Sequence, residues 1–145
     1  MTEALQTENH NLDRFVRAQA GIYRTALAEL QAGEKRTHWM WFIFPQMQGL
    51  GKSANARTYA IHSREEARAY LDHELLGPRL LECTQAMLAH AGTRKPVEIL
   101  GPIDTMKFRS SMTLFEAVAD DPKPFTQALN QMCNGDRDKA TLELI

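Results

Sequence analysis

The sequence predicts an all-α fold, a compact single-domain bundle of about six to eight helices. Apolar residues recur at steps of three and four along most of the chain, and a capping residue precedes several of these segments. Glycine and proline separate the segments at short intervals, as in a bundle with short loops. The 145 residues fit one domain, which we place at residues 11–145 after a flexible N-terminal tail at residues 1–10.

The first third of the chain predicts two helices. Asn11 can cap an amphipathic helix that Gly33 ends. Thr37 can cap a short second helix through residues 39–44, which must stop before Pro45. Because residues 39–44 are apolar on every side, this helix should be buried. A buried strand would show the same pattern, but the rest of the chain offers strands no partners, so we favour a helix.

The remainder of the chain predicts a series of shorter helices. Ser63 and Glu66 form a capping box, and Pro78 suits the first position of the next helix. Asp104 can cap a longer helix with one apolar stripe. Further helices are predicted at residues 96–100, 125–133 and 138–142.

The composition of the chain argues against some classes of function. The net charge of −1 argues against a general nucleic-acid binder, and no stretch of about 18 apolar residues could span a membrane. No secretory signal is visible, so we expect a cytoplasmic protein. Cys83 and Cys133 match no metal or redox spacing and are expected to be buried free thiols. No other set of residues has metal-ligand spacing, so we expect neither a metal nor a cofactor.

The most unusual segment is the run His-Trp-Met-Trp-Phe-Ile-Phe at residues 38–44, which holds both tryptophans of the chain. Such a run is either the centre of the core or the wall of a pocket. On a helix Trp39 and Trp41 point about 160° apart, so one can line a pocket while the other packs inside. Lys35 precedes the run, and His38 could act as a general acid or base or could hold a backbone carbonyl beside the core.

Two other segments could contact an anion. Lys107, Arg109, Ser110 and Ser111 place two cations and two hydroxyls within five positions, although a solvated helix face would look the same. Lys107 and Ser111 share a helix face. Gly51 begins a Gly-Lys-Ser sequence that lacks the first glycine of a phosphate loop, so it is either a place where the backbone approaches an anion or a plain turn.

Together these segments predict one pocket for a small anionic ligand, such as a nucleotide or sugar phosphate, which the protein binds or hydrolyses. The predicted catalytic residue is His38, and the predicted ligand-binding residues are Lys35, Trp39, Trp41, Gly51, Lys107 and Ser111. The alternative is a non-catalytic interaction or structural domain in which the aromatic run is simply core.

Four segments, at residues 35–46, 49–53, 76–80 and 110–115, together resemble a known family. They are similar to the 1810 domain-of-unknown-function family of small bacterial and fungal proteins, some of which are labelled calpastatin. The similarity covers residues 11–145 and implies a compact, nearly all-helical single domain without a known activity. The calpastatin label does not fit, because calpastatin inhibitory segments are disordered.

Overall fold

The structure is a computed structural model that describes residues 10–145, and these residues form ten α-helices. In chain order the helices are α1 Asp13–Gln19, α2 Tyr23–Ala32, α3 Met40–Ile43, α4 Ala54–Thr58, α5 Arg64–Asp72, α6 Leu76–Leu88, α7 Pro96–Leu100, α8 Pro102–Val118, α9 Lys123–Met132 and α10 Lys139–Leu144. The all-α prediction is confirmed, and the count is slightly higher than predicted because the predicted first helix is two helices, α1 and α2, and because the short helix α4 was not predicted. The predicted tail lies outside the described residues, except for His10.

Several helix starts differ from the prediction. The predicted first helix is divided into α1 and α2, because Gly21 adopts a φ of +77° between them. Helix α3 begins after Trp39 instead of Thr37, whose side chain is hydrogen-bonded elsewhere. Helix α6 begins at Leu76, so Pro78 occupies its third position, where the missing N–H would have had no partner within the helix.

Several residues begin or end a helix as predicted. The Ser63 hydroxyl caps α5 by accepting a hydrogen bond from the Glu66 amide at 3.0 Å. The Glu66 carboxylate reaches back to the amide of His62, one residue earlier than a capping box requires. Gly33 ends α2 in the left-handed conformation, and Asp138 caps α10 through the Thr141 amide.

Helix α8 is the longest helix of the described chain and lies at its centre, in contact with α5, α7, α9 and α10. Its buried side includes Phe108 and Phe115. The Phe108 ring packs edge-on against Phe44 with centroids 5.0 Å apart, and the Phe115 ring lies 5.5 Å from that of Tyr70. These aromatic contacts join segments that are far apart in sequence.

The aromatic run is mainly core. Trp39, Met40, Ile43 and Phe44 are at most 2% exposed, whereas Trp41 is half-buried. The chain then forms one parallel β-bridge between Met47 and Ile61, which is the only strand-like pairing within residues 10–145. Because α3 covers Met40–Ile43, the prediction of a helix and not a strand for this run is confirmed.

A buried ion pair links α1 to α5. The Arg14 Nη2 atom lies 2.6 Å from the Glu66 carboxylate, and both side chains are at most 10% exposed. The same guanidinium donates to the carbonyls of Thr58 and Ala60. Because a buried charge without its partner is costly, removing either residue should cost about 3–5 kcal/mol.

No helix within the described residues is long and apolar enough to cross a bilayer.

We predict that Gly77 is required for the close contact between α5 and α6. A Cβ atom there would lie 2.1 Å from the carbonyl oxygen of Leu71. Alanine normally stabilises a helix interior relative to glycine, by roughly 0.5–1 kcal/mol. Here we expect Gly77→Ala to destabilise the protein instead and to lower the free energy of unfolding by about 2 kcal/mol or more. The reason is that the backbone around Leu71 must move to make room for the added Cβ atom.

Urea denaturation would measure this change, with Gly92→Ala as the control. Gly92 has a φ of +82°, and a Cβ atom added there would meet no other atom within 4 Å. Its substitution should therefore cost only the backbone strain, about 1–2 kcal/mol. A stabilised Gly77→Ala variant would contradict the packing of α6 on Leu71.

Candidate functional site

Four of the seven predicted site residues meet beside the first turns of α8. The Lys35 Nζ atom lies 3.0 Å from one carboxylate oxygen of Asp104, and the Lys107 Nζ atom lies 3.6 Å from the other. The two ammonium groups also lie over indole rings, Lys35 over Trp39 and Lys107 over Trp41, each 5.1 Å from the ring centroid. We call these five residues the aromatic–basic cluster.

Local structure explains how the cluster forms. The Lys35 amide donates to the carbonyl of Ile99 at 2.8 Å, which holds this segment against α7. Asp104 is the third residue of α8 instead of its cap, and a carboxylate is stabilised in the first turn of a helix. Lys107 is one turn further along the same helix face. The cluster therefore joins two segments whose positions the core fixes.

Glu29 positions the loop before the aromatic run. Its carboxylate accepts hydrogen bonds from the amide of Arg36, from the amide and hydroxyl of Thr37, and from the Trp39 indole Nε1 at 2.8 Å. Desolvation acts to raise the pKa of Glu29, but these hydrogen bonds outweigh it and lower the pKa to about 2. Sequence reasoning missed Glu29, because a single glutamate on a helix carries no distinctive pattern.

The other three predicted residues lie apart from the cluster's contacts. His38 is exposed, and within the described residues its ring makes no hydrogen bond. Ser111 is fully buried, and its hydroxyl has no hydrogen-bond partner. Gly51 packs so closely on α4 that an added Cβ would lie 2.5 Å from the Cβ of Ala56, which is a packing reason for glycine at that position.

Three hydroxyl groups of α8 are hydrogen-bonded to the backbone of the same helix. Thr105, Ser110 and Thr113 each donate to the backbone carbonyl four residues earlier, at 2.7 to 3.1 Å. Such bonds satisfy hydroxyls that would otherwise be unpaired in the interior. These three hydroxyls therefore have partners within the helix, whereas the buried hydroxyl of Ser111 has none.

A cavity of about 600 Å³ lies between α7, α8 and the end of α9, and it contains none of the predicted site residues. Its walls are formed by Gly92, Thr93, Arg94, Lys95, Pro96, Val97, Glu98, Thr105, Met106, Arg109, Gln131, Met132, Cys133, Asn134 and Asp136. We call it the Arg109 cavity. A smaller cavity of about 350 Å³ lies between α5, α6 and the start of α9 and also lacks the predicted residues.

Arg109 has an unusual environment. Its Nε atom is buried without a hydrogen-bond partner, although the side chain as a whole is 33% exposed. The nearest carboxylate oxygen, on Asp138, lies 4.0 Å from Nη2, which is too far for a hydrogen bond. Arg94 and Lys95 add two more cations to the walls, against the carboxylates of Glu98 and Asp136.

Sequence reasoning noticed Arg109 but grouped it with Lys107. Successive helical residues are rotated by about 100°, so the two side chains project on opposite sides of α8. Lys107 meets the aromatic run, whereas Arg109 lines the cavity together with Thr105 and Met106. The helical rotation between residues 107 and 109 is the signal in the sequence that separates the two faces.

Both cysteines are buried free thiols, as predicted. Burial raises the pKa of Cys133 to about 11, against a smaller lowering effect of Arg109, and burial raises the pKa of Cys83 to about 12. Cys133 forms part of the cavity wall, but as a protonated thiol near neutral pH it is a weak nucleophile. Within residues 10–145 no group of His, Cys, Asp or Glu side chains could hold a metal ion.

We predict that Glu29 stabilises the fold in a pH-dependent way. Because its pKa is lower in the folded protein, its contribution is complete above the unfolded value of about 4.3 and is lost as the pH falls towards 2. At neutral pH Glu29→Gln should lower the free energy of unfolding by about 1–3 kcal/mol. Urea denaturation at several pH values would show this difference shrinking below pH 4.

The matched control is Glu34→Gln. Glu34 makes an exposed ion pair with Arg36 at 3.2 Å, and such pairs contribute about 0–1 kcal/mol. A difference between wild type and Glu29→Gln that is as large at pH 2 as at pH 7 would contradict the role assigned to the Glu29 charge.

Comparison with other proteins places this architecture in a family. The family described as "Protein of unknown function (DUF1810)" matches residues 9–145. The crystal structure of the conserved hypothetical protein Rv1873 from Mycobacterium tuberculosis is similar, with 49% identity and a TM-score of 0.91 over 94% of this chain and 96% of that chain. No curated protein matches the sequence. With nearly its whole length matched, the chain belongs to the DUF1810 family of proteins of unknown function.

Proposed function

We propose that this protein binds a small anionic ligand in the Arg109 cavity. The observation that carries the proposal is the guanidinium of Arg109, which is partly exposed at the wall of a cavity of about 600 Å³ and whose nearest carboxylate, that of Asp138, is 4.0 Å away. That volume lies within the range of about 300–1,000 Å³ that small-molecule sites occupy.

An anion would satisfy this arginine. The exposed part of its guanidinium could donate charge-assisted hydrogen bonds to the anion, each worth about 1.5–3 kcal/mol. A guanidinium presents its donors as a planar fork that matches the oxygens of a carboxylate or phosphate. Arg94 and Lys95 in the same walls also favour a negatively charged ligand. The carboxylate of Glu98 already accepts a hydrogen bond from the amide of Lys95 at 2.8 Å.

The cavity supports binding better than hydrolysis. Cys133 is the only cysteine in its walls, and its raised pKa keeps it protonated. No histidine lines the described cavity, so a nucleophile would lack the usual neighbouring base. Binding is therefore the activity that we propose here.

The test uses inorganic phosphate as the probe. We expect Arg109→Gln to weaken phosphate binding tenfold or more, since a charge-assisted hydrogen bond contributes about 1.5–3 kcal/mol. Isothermal titration calorimetry would give the affinity, and the ¹⁵N-resolved NMR signal of the Arg109 Nε–H group should shift when phosphate binds. That signal reports directly on the atom that lacks a partner.

The matched control is Arg24→Gln. Arg24 is an exposed residue of α2, so its loss changes the net charge equally without touching the cavity. Equal phosphate affinity in wild type, Arg24→Gln and Arg109→Gln would remove Arg109 from any anion site. Thermal unfolding of each variant would establish that the fold is intact.

A second candidate site is the aromatic–basic cluster, where Lys35, Lys107 and the two tryptophans would contact the ligand. The other residues predicted for this site, His38, Gly51 and Ser111, lie apart from the cluster. The specific observation in its favour is that Lys35 and Lys107 share one carboxylate, which leaves one positive charge beside the half-buried Trp41 ring. A flat ligand with an anionic group could stack on that ring. The cluster is the weaker candidate because both ammonium groups already have Asp104 as an ion-pair partner.

We predict that Lys107→Ala distinguishes the two sites when adenosine monophosphate is the probe. If the cluster binds the nucleotide, the variant should lose tenfold or more in affinity, while the free energy of unfolding changes by less than about 1 kcal/mol because Lys107 is partly exposed. Calorimetry of wild type, Lys107→Ala and Arg109→Gln would compare the sites. An unchanged affinity in Lys107→Ala would dismiss the cluster, and failure of every anionic probe would favour the interaction-domain alternative.

A further inference from the structure

We propose that the ligand of the Arg109 cavity is a small amphipathic anion, with an oxyanion head on Arg109 and an apolar chain or ring along Met106 and Val97. This inference rests on the proposed function, because it names the class of molecule that the same site takes. The head would be a carboxylate or a phosphate ester, since both offer the pair of oxygens that a guanidinium recognises.

Two exposed apolar side chains line the cavity. Met106 is 60% exposed and Val97 is 44% exposed, and both line the cavity. Ile103, one turn before Met106 on α8, is 69% exposed. Ile103 and Met106 are the two most exposed large hydrophobic side chains among the described residues.

Single exposed apolar residues are ordinary, but their position here is specific. Of the seven large hydrophobic side chains that the described surface exposes, Val97, Ile103 and Met106 lie within ten positions on two consecutive helices, α7 and α8. Val97 and Met106 line the same cavity as Arg109. The charged and apolar requirements of one ligand are therefore met in one place.

The spacing along α8 gives the order in which a ligand would meet these groups. Met106 and Arg109 are three residues apart and share a helix face, with a rise of about 4.5 Å between them. A head group on Arg109 would thus place the next atoms of the ligand over Met106.

The inner wall of the cavity is compatible with the same chemistry. Met132 and Cys133 are 6% and 8% exposed and add apolar surface to the cavity wall. Methionine is flexible and polarisable, so the two methionines can adapt to chains or rings of different shape. The carboxylates of Glu98 and Asp136 oppose additional negative charge, so a ligand with one anionic group fits better than a polyanion.

The experiment compares inorganic phosphate with ethyl, butyl and hexyl phosphate by calorimetry. In the wild type we expect the affinity to rise with chain length, by up to about fourfold for each methylene that becomes fully buried. Met106→Gln should retain the affinity for inorganic phosphate but lose most of this rise. Because Met106 is largely exposed and glutamine is a good helix former, the variant should remain folded.

The matched control is Leu142→Gln, which removes an apolar side chain of similar exposure, 50%, from α10. It should leave the chain-length dependence unchanged. Hexanoate in place of hexyl phosphate distinguishes a carboxylate ligand from a phosphate ester, and Arg109→Gln should weaken the binding of either one.

The outcomes separate the two proposals. Phosphate binding that depends on Arg109 but does not improve with chain length would overturn the amphipathic ligand and leave the proposed function standing. A chain-length effect of the same size in Met106→Gln would place the apolar contact elsewhere and overturn this inference as well. If neither inorganic phosphate nor any alkyl phosphate binds, both proposals fail together.

Discussion

Helix α8 must bury most of its surface while two of its sides carry charged groups, and the rest of the structure is arranged around this constraint. Its aromatic side packs on Phe44 and Tyr70 through Phe108 and Phe115. This packing leaves Lys107 on one flank and Arg109 on the other. Because the helix cannot rotate without exposing its apolar side, the positions of both cations follow from the core.

The two flanks differ in how their charges are satisfied. Lys35 and Lys107 share Asp104 and lie over indole rings, so each already has favourable partners. Arg109 has no hydrogen-bond partner for Nε, and the nearest carboxylate is 4.0 Å away. A group that is already paired gains less from a ligand than a group that is not, and this difference is why the Arg109 cavity is the stronger candidate site.

Glu29 shows how one polar residue can support an aromatic core. It holds Thr37 and the Trp39 indole, and the burial of Trp39 in turn sets the position of Lys35 beside Asp104. Tryptophan is rarely buried without a partner for its N–H, so the hydrogen bond to Glu29 makes this position possible. The cluster is thus a consequence of core packing as much as a feature of the surface.

The sequence alone was sufficient to predict the all-α class, the capping of α5 by Ser63, the end of α2 at Gly33 and the short helix Pro96–Leu100. Each of these depends on residues within about one helical turn, so spacing and residue type suffice. The contact of Lys35 with Asp104 joins residues 69 positions apart in the chain, and no local pattern encodes it. The burial of Trp39 but not Trp41, and the side of α8 on which Arg109 lies, were likewise decided by tertiary packing, because only the packed neighbours determine which face of a helix is covered.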